Sequence, residues 1–127
     1  MVQAYCHGEY RLEEQQGIIR AYVEGAFNLE GMQLFHRDVS QISVSMGQWA
    51  LMIVGSKDAM ATPEALEAAE RFAESLEQAG CVAIAVYNLN QAMNAFSRKV
   101  NRKSGLPFLI SADLSESECF VRSHLEH

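Results

Sequence analysis

Apolar positions along the chain follow two periods, and each period predicts a different element. Residues 9–14 and 18–24 are rich in β-forming residues and flank Gln15-Gln16-Gly17, which predicts a β-hairpin with a short glycine-containing turn. After the hairpin, apolar residues recur at intervals of three and four, which predicts a helix with Asn28 as its N-cap. The apolar residues on that helix face are Leu29, Met32, Phe35, Val39 and Ile42.

Three short apolar runs predict further strands. Trp49–Val54 and Val82–Tyr87 are continuous apolar stretches too short for a helix, which is typical of strands buried on both faces. Leu106–Ile110 forms a third run, and Pro107 near its start predicts an edge position, because proline has no N–H to donate to a neighbouring strand.

The helix between the first two runs has clear start and stop signals. Thr62-Pro63-Glu64 supplies an N-cap, a proline at the first helical position and an acid in the first turn, and Gly80 supplies the stop. Its apolar half is mostly alanine and is expected to pack closely on a sheet: Ala65, Leu66, Ala68, Ala69, Phe72, Ala73 and Leu76. Its other half carries Glu64, Glu67, Glu70, Glu74 and Glu77.

Two more helices complete the predicted order. One spans roughly 90–103, with Met93, Phe96 and Val100 facing inward and Gly105 ending it. The other opens with a capping box at Ser115-Glu116-Ser117-Glu118 and turns Cys119, Phe120 or Val121 inward. The order β-β-α-β-α-β-α-β-α predicts a single α/β domain over 1–124, with a mixed β-sheet and helical cover.

Composition narrows the class of protein. The 127 residues are 49% hydrophobic and carry a formal charge of −6, which favours one globular domain and argues against nucleic-acid binding. No apolar run approaches the length of a bilayer-spanning helix, and no leader peptide is visible, so we expect no membrane insertion. Three widely spaced cysteines favour a reducing, cytoplasmic location over a disulfide framework. Residues 125–127 (Leu-Glu-His) are interpreted as the remnant of an expression tag.

The net charge is unevenly distributed. Residues 64–77 hold five Glu and one Arg, a sum of −4, whereas residues 98–103 hold four basic residues, a sum of +4. These four can stabilise the C-terminal end of a helix dipole, or they can dock an acidic partner, including a second copy of this chain. The four basic residues are Arg98, Lys99, Arg102 and Lys103.

Short motifs, together with the order of elements, carry a family resemblance. Gly25-Ala26-Phe27-Asn28 is similar to a Gly-x-apolar-Asp turn that leaves the second strand, and Ser104-Gly105-Leu106 is similar to a Ser-Gly-Leu that precedes the last strand. The spacing from Trp49 to Tyr87 also fits without gaps. From about residue 9 to residue 124, the chain resembles the STAS domain of the anti-sigma-factor antagonists, which has the SpoIIAA-like fold.

The resemblance breaks at the family's phosphorylation motif. The antagonists carry Asp-Ser-Ser-Gly at the start of the second helix, where this chain has Ala61-Thr62-Pro63-Glu64. Proline occupies the place of the phosphorylated serine, and Thr62 is better explained as a helix cap, so a phosphoswitch is not expected. The resemblance therefore implies a divergent, non-enzymatic STAS-like domain; some such proteins are thought to hold lipid-like ligands.

Candidate binding residues collect where the parallel strands end. Ligands of α/β proteins bind at the carboxyl ends of strands, and the loop after Trp49–Val54 and the residues after Tyr87 fall at that edge, as does Ser111-Ala112-Asp113. Together with the start of the acidic helix they predict a binding surface. Its members are Ser56, Lys57, Asp58, Thr62, Asn88 and Asn90.

Catalytic and metal-binding arrangements are not evident. Cys6, His7, His36 and His124 lack the spacing that places two ligands on one metal, and Ser56 lacks the glycine context of a nucleophile elbow. We therefore expect no enzyme activity, no metal and no cofactor.

Two hypotheses of function remain. The leading one is a domain that binds a protein partner or a second copy of itself through residues 56–63 and the first turn of the helix that follows. The alternative is a carrier of a small apolar ligand held between the first helix and the sheet. Phe27, Met32, Phe35 and Met46 are its candidate lining residues, although helical spacing equally fits an ordinary core.

Overall fold

The computed structural model describes residues 6–88 and 105–125. Within them the chain forms strands β1 (Glu9–Gln15), β2 (Ile18–Glu24), β3 (Ala26–Phe27), β4 (Trp49–Gly55), β5 (Met60–Ala61), β6 (Cys81–Tyr87) and β7 (Phe108–Ser111). The helices in the same ranges are α1 (Leu29–Ser43), α2 (Pro63–Gln78) and α3 (Leu114–Ser123).

The strands build a mixed sheet in the order β1-β2-β4-β6-β7. β1 and β2 form the predicted antiparallel hairpin, with Gln15 opposite Ile18, and the other neighbours pair in parallel. β7 lies at the edge of this sheet, which confirms the position predicted from Pro107. The pair β3 and β5 forms a separate short parallel ladder that the apolar pattern did not predict.

Each face of the sheet carries its own apolar cluster. α1 and α2 cover one face, where Trp49 is fully buried and its indole N–H donates to the carbonyl oxygen of Ala79 at 3.0 Å. α3 covers the other face, where Val121 and Ile18 are fully buried. Leu125, assigned from sequence to a tag remnant, is 9% exposed and packs in this second cluster.

The helix starts follow the predicted capping signals for α1 and α2. The Asn28 side chain accepts hydrogen bonds from the backbone N–H of Gly31 at 2.9 Å and of His7 at 3.0 Å. Thr62 Oγ1 accepts from the N–H of Ala65 at 3.2 Å, with Pro63 in the first turn. Gly80 follows α2 with a φ of +102°, a conformation that favours glycine.

The last helix starts earlier than predicted. The residue that caps α3 is Asp113, whose carboxylate accepts from the N–H of Glu116 at 3.2 Å, and Ser115 lies inside the helix. Glu118, the predicted partner of Ser115, instead accepts hydrogen bonds from Arg20 at 2.7 Å and from Arg122 at 2.8 Å.

The register of α3 also corrects the predicted inward face. Val121 is buried as expected, and Ser117 is fully buried with it. Phe120 is half-buried beside that cluster. Cys119 is exposed, so the prediction that it faces inward among apolar residues is wrong.

Several predictions fall outside the described residues. They are the helix over 90–103, Asn90, Ser104, and the basic residues Arg98, Lys99, Arg102 and Lys103. Of the helices that the structure does describe, none has both the length and the apolar character needed to cross a bilayer.

Candidate functional site

The loop that connects β4 to α2, residues 56–62, is held by backbone hydrogen bonds to residues 23–27, which run from the end of β2 through β3. The N–H of Ser56 donates to the carbonyl of Val23 at 2.9 Å, and the N–H of Met60 donates to Gly25 at 3.0 Å. The N–H of Thr62 donates to Phe27 at 2.9 Å. These bonds continue the pairing of β2 with β4 into the ladder of β3 and β5, so this β4–α2 loop has a fixed path.

The tip of the β4–α2 loop is polar and exposed. The Ser56 hydroxyl donates to the Asp58 carboxylate, which also accepts from the N–H of Gly25 at 3.4 Å. The hydrogen bond from Ser56, followed by the one from Gly25, lowers the pKa of Asp58 and keeps the carboxylate ionised. Lys57 beside it is exposed, so the tip presents charged groups of both signs to solvent.

Two predicted members of the binding surface make structural contacts of their own. Thr62 uses its hydroxyl oxygen to cap α2. Asn88 is only 5% exposed, and its side-chain nitrogen packs so close to Gly55 that a Cβ there would lie 2.7 Å from it. Asn88 therefore lies behind the loop rather than on the exposed surface with Lys57 and Asp58.

A cavity of about 170 Å³ lies between α1, α2 and the sheet. From α1 it is lined by Met32, Phe35, His36 and Val39, and from α2 by Leu66, Ala69, Glu70, Phe72, Ala73 and Leu76. The sheet contributes apolar residues that include Leu51, Ile53, Ile84 and Phe108. Met60 of the β4–α2 loop also lines the cavity and is 45% exposed, so the cavity reaches the surface beside this loop.

The cavity wall is almost entirely apolar. Among the described lining residues, the polar side chains are His36, Glu70 and Asn88. Glu70, predicted on the solvent side of α2, is half-buried at the wall.

His36 is packed as a neutral aromatic ring. Its imidazole stacks on Phe72 with ring centroids 3.8 Å apart and planes 8° apart, and its Nε2 lies 3.0 Å from the hydroxyl oxygen of Ser75. Burial lowers the pKa of His36 below its ordinary value of 6.5, which favours the uncharged ring at neutral pH.

A cluster of aromatic rings lies along the cavity wall. Phe27 and Phe35 line the cavity with centroids 6.2 Å apart at 75°, and Tyr10 packs edge-on against Phe35 at 5.2 Å. The Tyr10 hydroxyl donates to Asp38, and burial together with this carboxylate raises the pKa of the phenol well above 10. This contact ties α1 to β1 next to the cavity.

The predicted lining residues are correct in three cases of four. Phe27, Met32 and Phe35 line the cavity, but Met46 does not. α1 ends at Ser43, so Met46 lies in the connection to the amino end of β4 and packs on the core there. Sequence reasoning missed α2 as a wall, because its alanine-rich face was taken to indicate close packing on the sheet, whereas Ala69 and Ala73 line the cavity instead.

The histidines and exposed cysteines do not form a metal site in the part of the chain that the structure describes. Within residues 6–88 and 105–125, no group of three or more His, Cys, Asp or Glu side chains is placed to hold a metal ion. Cys6, Cys81 and Cys119 are all free thiols; burial raises the pKa of Cys81 to about 11.

Comparison with known proteins identifies the fold. No protein-family model matches the sequence, and a comparison with curated proteins finds no match. The structure is similar to the crystal structure of an anti-sigma factor antagonist from Mycobacterium paratuberculosis, with 12% identity over 91% of this chain and 94% of that chain and a TM-score of 0.63. It is also similar to an uncharacterized DUF3478-family protein with a SpoIIAA-like fold from Shewanella loihica PV-4, with 11% identity, the same coverage and a TM-score of 0.61. The expected SpoIIAA-like α/β fold is thus confirmed.

Proposed function

We propose that this chain is a non-enzymatic, STAS-like regulatory domain that binds a protein partner through the β4–α2 loop and the first turn of α2. The observation that carries the proposal is the fixed path of an exposed loop. A loop that is ordered before binding loses little conformational entropy when a partner docks, so more of the contact energy appears as affinity. Lys57 and Asp58 supply charged groups of both signs for recognition.

The shared fold supports the same proposal. One protein with this architecture is an anti-sigma factor antagonist, a role defined by action on another protein. The family resemblance of the sequence puts Pro63 at the place of the phosphorylated serine, and the Thr62 oxygen caps α2. We therefore propose that partner binding is not switched by phosphorylation at this position.

Affinity capture with two charge-reversal variants tests the docking surface. The protein is used to capture partners from its native lysate, in parallel with Lys57→Glu in the loop and Arg71→Glu, an exposed position further along α2. A partner that is retained by the wild type and by Arg71→Glu, but lost from Lys57→Glu, is the expected result. Recovery of the chain alone, or equal capture by all three proteins, contradicts the proposal.

The cavity favours a second function, the binding of a small apolar molecule. Its position between α1 and the sheet matches the place expected for such a ligand, and its wall is built mainly of apolar side chains from both helices and the sheet. Concave, mostly apolar sites with few polar groups are typical of small-molecule binding.

Gently purified protein provides the test of this second function. Native mass spectrometry is expected to show a bound mass in addition to that of the chain, and organic extraction is expected to release it. A clean mass of the chain alone under gentle conditions, together with failure to bind any added apolar probe, contradicts it.

A further inference from the structure

We infer that the cavity is specific for an uncharged molecule about as large as a single ring or two fused rings. It excludes anions of that size and long-chain fatty acids. This inference rests on the second proposed function, the binding of an apolar ligand, and it names the class of that ligand. Size, wall shape and charge each contribute to it.

The volume sets the size of the occupant. A cavity of about 150 Å³ lined by Leu, Ile and Phe stays dry and binds benzene in a well-studied case. At about 170 Å³, the cavity between α1 and α2 is only slightly larger. A long acyl chain is several times larger than benzene, so most of it would lie outside the cavity, in water, unless α1 and α2 moved apart.

Aromatic side chains shape the wall for a ring. Phe27 and Phe35 already pack edge-to-face along the cavity wall, and Phe108 contributes a ring from β7. Aromatic rings attract one another in offset or edge-to-face arrangements, which contributes beyond the burial of area alone. The stacked pair of His36 and Phe72 contributes one ring from each helix to the wall.

The charges around the cavity disfavour an anion. No Lys or Arg is among the described lining residues, and Glu70 places a carboxylate at the wall. Residues 64–77 of α2 carry a net charge of −4, which adds to the negative field. His36 is held neutral by burial and provides no compensating positive charge. A carboxylate held inside the cavity would lose its water, and none of the lining residues that the structure describes would offer it a cationic partner, which is unfavourable.

Three probes test the expected size and charge of the ligand. Isothermal titration calorimetry at neutral pH measures how tightly the protein binds indole, an uncharged fused ring; benzoate, an anion with a single ring; and palmitate, a long-chain anion. We expect measurable binding of indole and at least tenfold weaker binding of benzoate and palmitate.

Two variants that fill the cavity connect indole binding to this site. Ala69→Leu and Leu66→Phe each add side-chain volume at half-buried lining positions on α2. Each larger side chain would occupy part of the space that the ligand needs, so the affinity for indole should fall about tenfold or more. Ala112→Leu, an exposed position before α3, is the matched control and should bind indole as the wild type does. Far-ultraviolet circular dichroism establishes which variants are folded, and either filling variant alone suffices.

The possible outcomes have distinct meanings. Palmitate is both long and anionic, so palmitate binding as tightly as indole would overturn the size limit and the charge limit together, whereas benzoate binding as tightly as indole would overturn the charge limit alone. In both cases the cavity would still bind apolar ligands. Indole binding that persists in a folded filling variant would place the ligand elsewhere and overturn the inference. Binding of none of the three probes would contradict the second proposed function itself.

Discussion

Replacing Gly31 by alanine should destabilise the protein, although the same change stabilises most helices. Gly31 is buried in the first turn of α1, and a Cβ there would lie 1.9 Å from the carbonyl oxygen of His7. Ordinarily alanine is favoured over glycine in a helix by up to about 1 kcal/mol. Here the obstructing atom belongs to the backbone, so the segment 6–8 must leave its place.

The expected magnitude follows from the contacts of that segment. The N–H of His7 donates to Asn28 at 3.0 Å, and Gly8 packs directly against the ring of Phe27, which is only 4% exposed. Loss of the hydrogen bond costs about 1 kcal/mol, and partial exposure of the ring costs about 1–2 kcal/mol. After subtraction of the helix-propensity gain, Gly31→Ala should lower the free energy of unfolding by about 1–2 kcal/mol, equivalent to a fall in Tm of roughly 4–8 °C.

Urea unfolding provides the assay. The buried side chain of Trp49, which is the single tryptophan, reports on the core by fluorescence, and circular dichroism reports on the helices. Gly47→Ala is the matched control, because a Cβ at Gly47 has no heavy atom within 4 Å of it. It should leave stability unchanged or raise it by up to about 1 kcal/mol. If Gly31→Ala proves as stable as Gly47→Ala, residues 6–8 do not pack over the start of α1 as described.

Three further predictions concern the caps and the titrating groups. Thr62→Ala should lower the free energy of unfolding by about 1 kcal/mol through loss of the cap on α2, whereas Thr62→Ser should retain most of it in the same urea assay. Burial lowers the pKa of His36 in the folded protein. As the pH falls through the ordinary pKa value of 6.5, the unfolded chain therefore takes up a proton on this residue, whereas the folded protein takes it up only at lower pH. Stability should therefore fall as the pH drops from 7 to 5, and urea melts of His36→Gln across that range should show a smaller slope. Glu118→Gln should cost up to about 1 kcal/mol by weakening the contacts with Arg20 and Arg122, and added salt should reduce the difference between variant and wild type. Because the hydrogen bond from Arg20 lowers the pKa of Glu118, its stabilising contribution should be lost only as the pH falls below 4.5, and an unchanged acid limb in the variant would contradict this.

Local signals in the sequence predicted the elements whose ends are determined by neighbouring residues. Thr62, Pro63 and Gly80 define the ends of α2 through capping, φ restriction and positive φ, and each of these acts within a few residues. The hairpin turn at Gln16 and Gly17 is equally local, with φ values of 57° and 82°. Such features need no knowledge of distant contacts.

Choices between equivalent local signals required the tertiary structure. Asp113-x-x-Glu116 and Ser115-x-x-Glu118 are overlapping capping boxes, and the sequence does not rank them. Arg20, which is 98 residues away in the chain, engages Glu118 and leaves the helix start to Asp113. The ladder of β3 and β5 has two residues in each strand, too few for any period to be visible.

The loop of the candidate site was predictable from the sequence, and so were the place of the cavity beside α1 and three of its lining residues, but its wall on α2 and its size were not. Lys57 and Asp58 are exposed at the carboxyl end of β4, as strand-end reasoning expects. Asn88 is buried, because its side chain packs against the backbone of Gly55 and lies behind the loop. The cavity depends on how far α1 lies from α2 across alanines such as Ala69 and Ala73, a distance that a one-dimensional pattern does not contain.

The outer strand of the hairpin bears on how the protein behaves at high concentration. β1 is an edge strand of the large sheet, and such strands are templates for growth of one sheet onto another. Its sequence places Glu9, Glu13 and Glu14 on this edge, with Arg11 held by Glu13 and by the ring of Tyr22 at 4.4 Å. β1 carries three Glu and one Arg, so two copies approaching through this strand would repel each other, which disfavours growth of one sheet onto another.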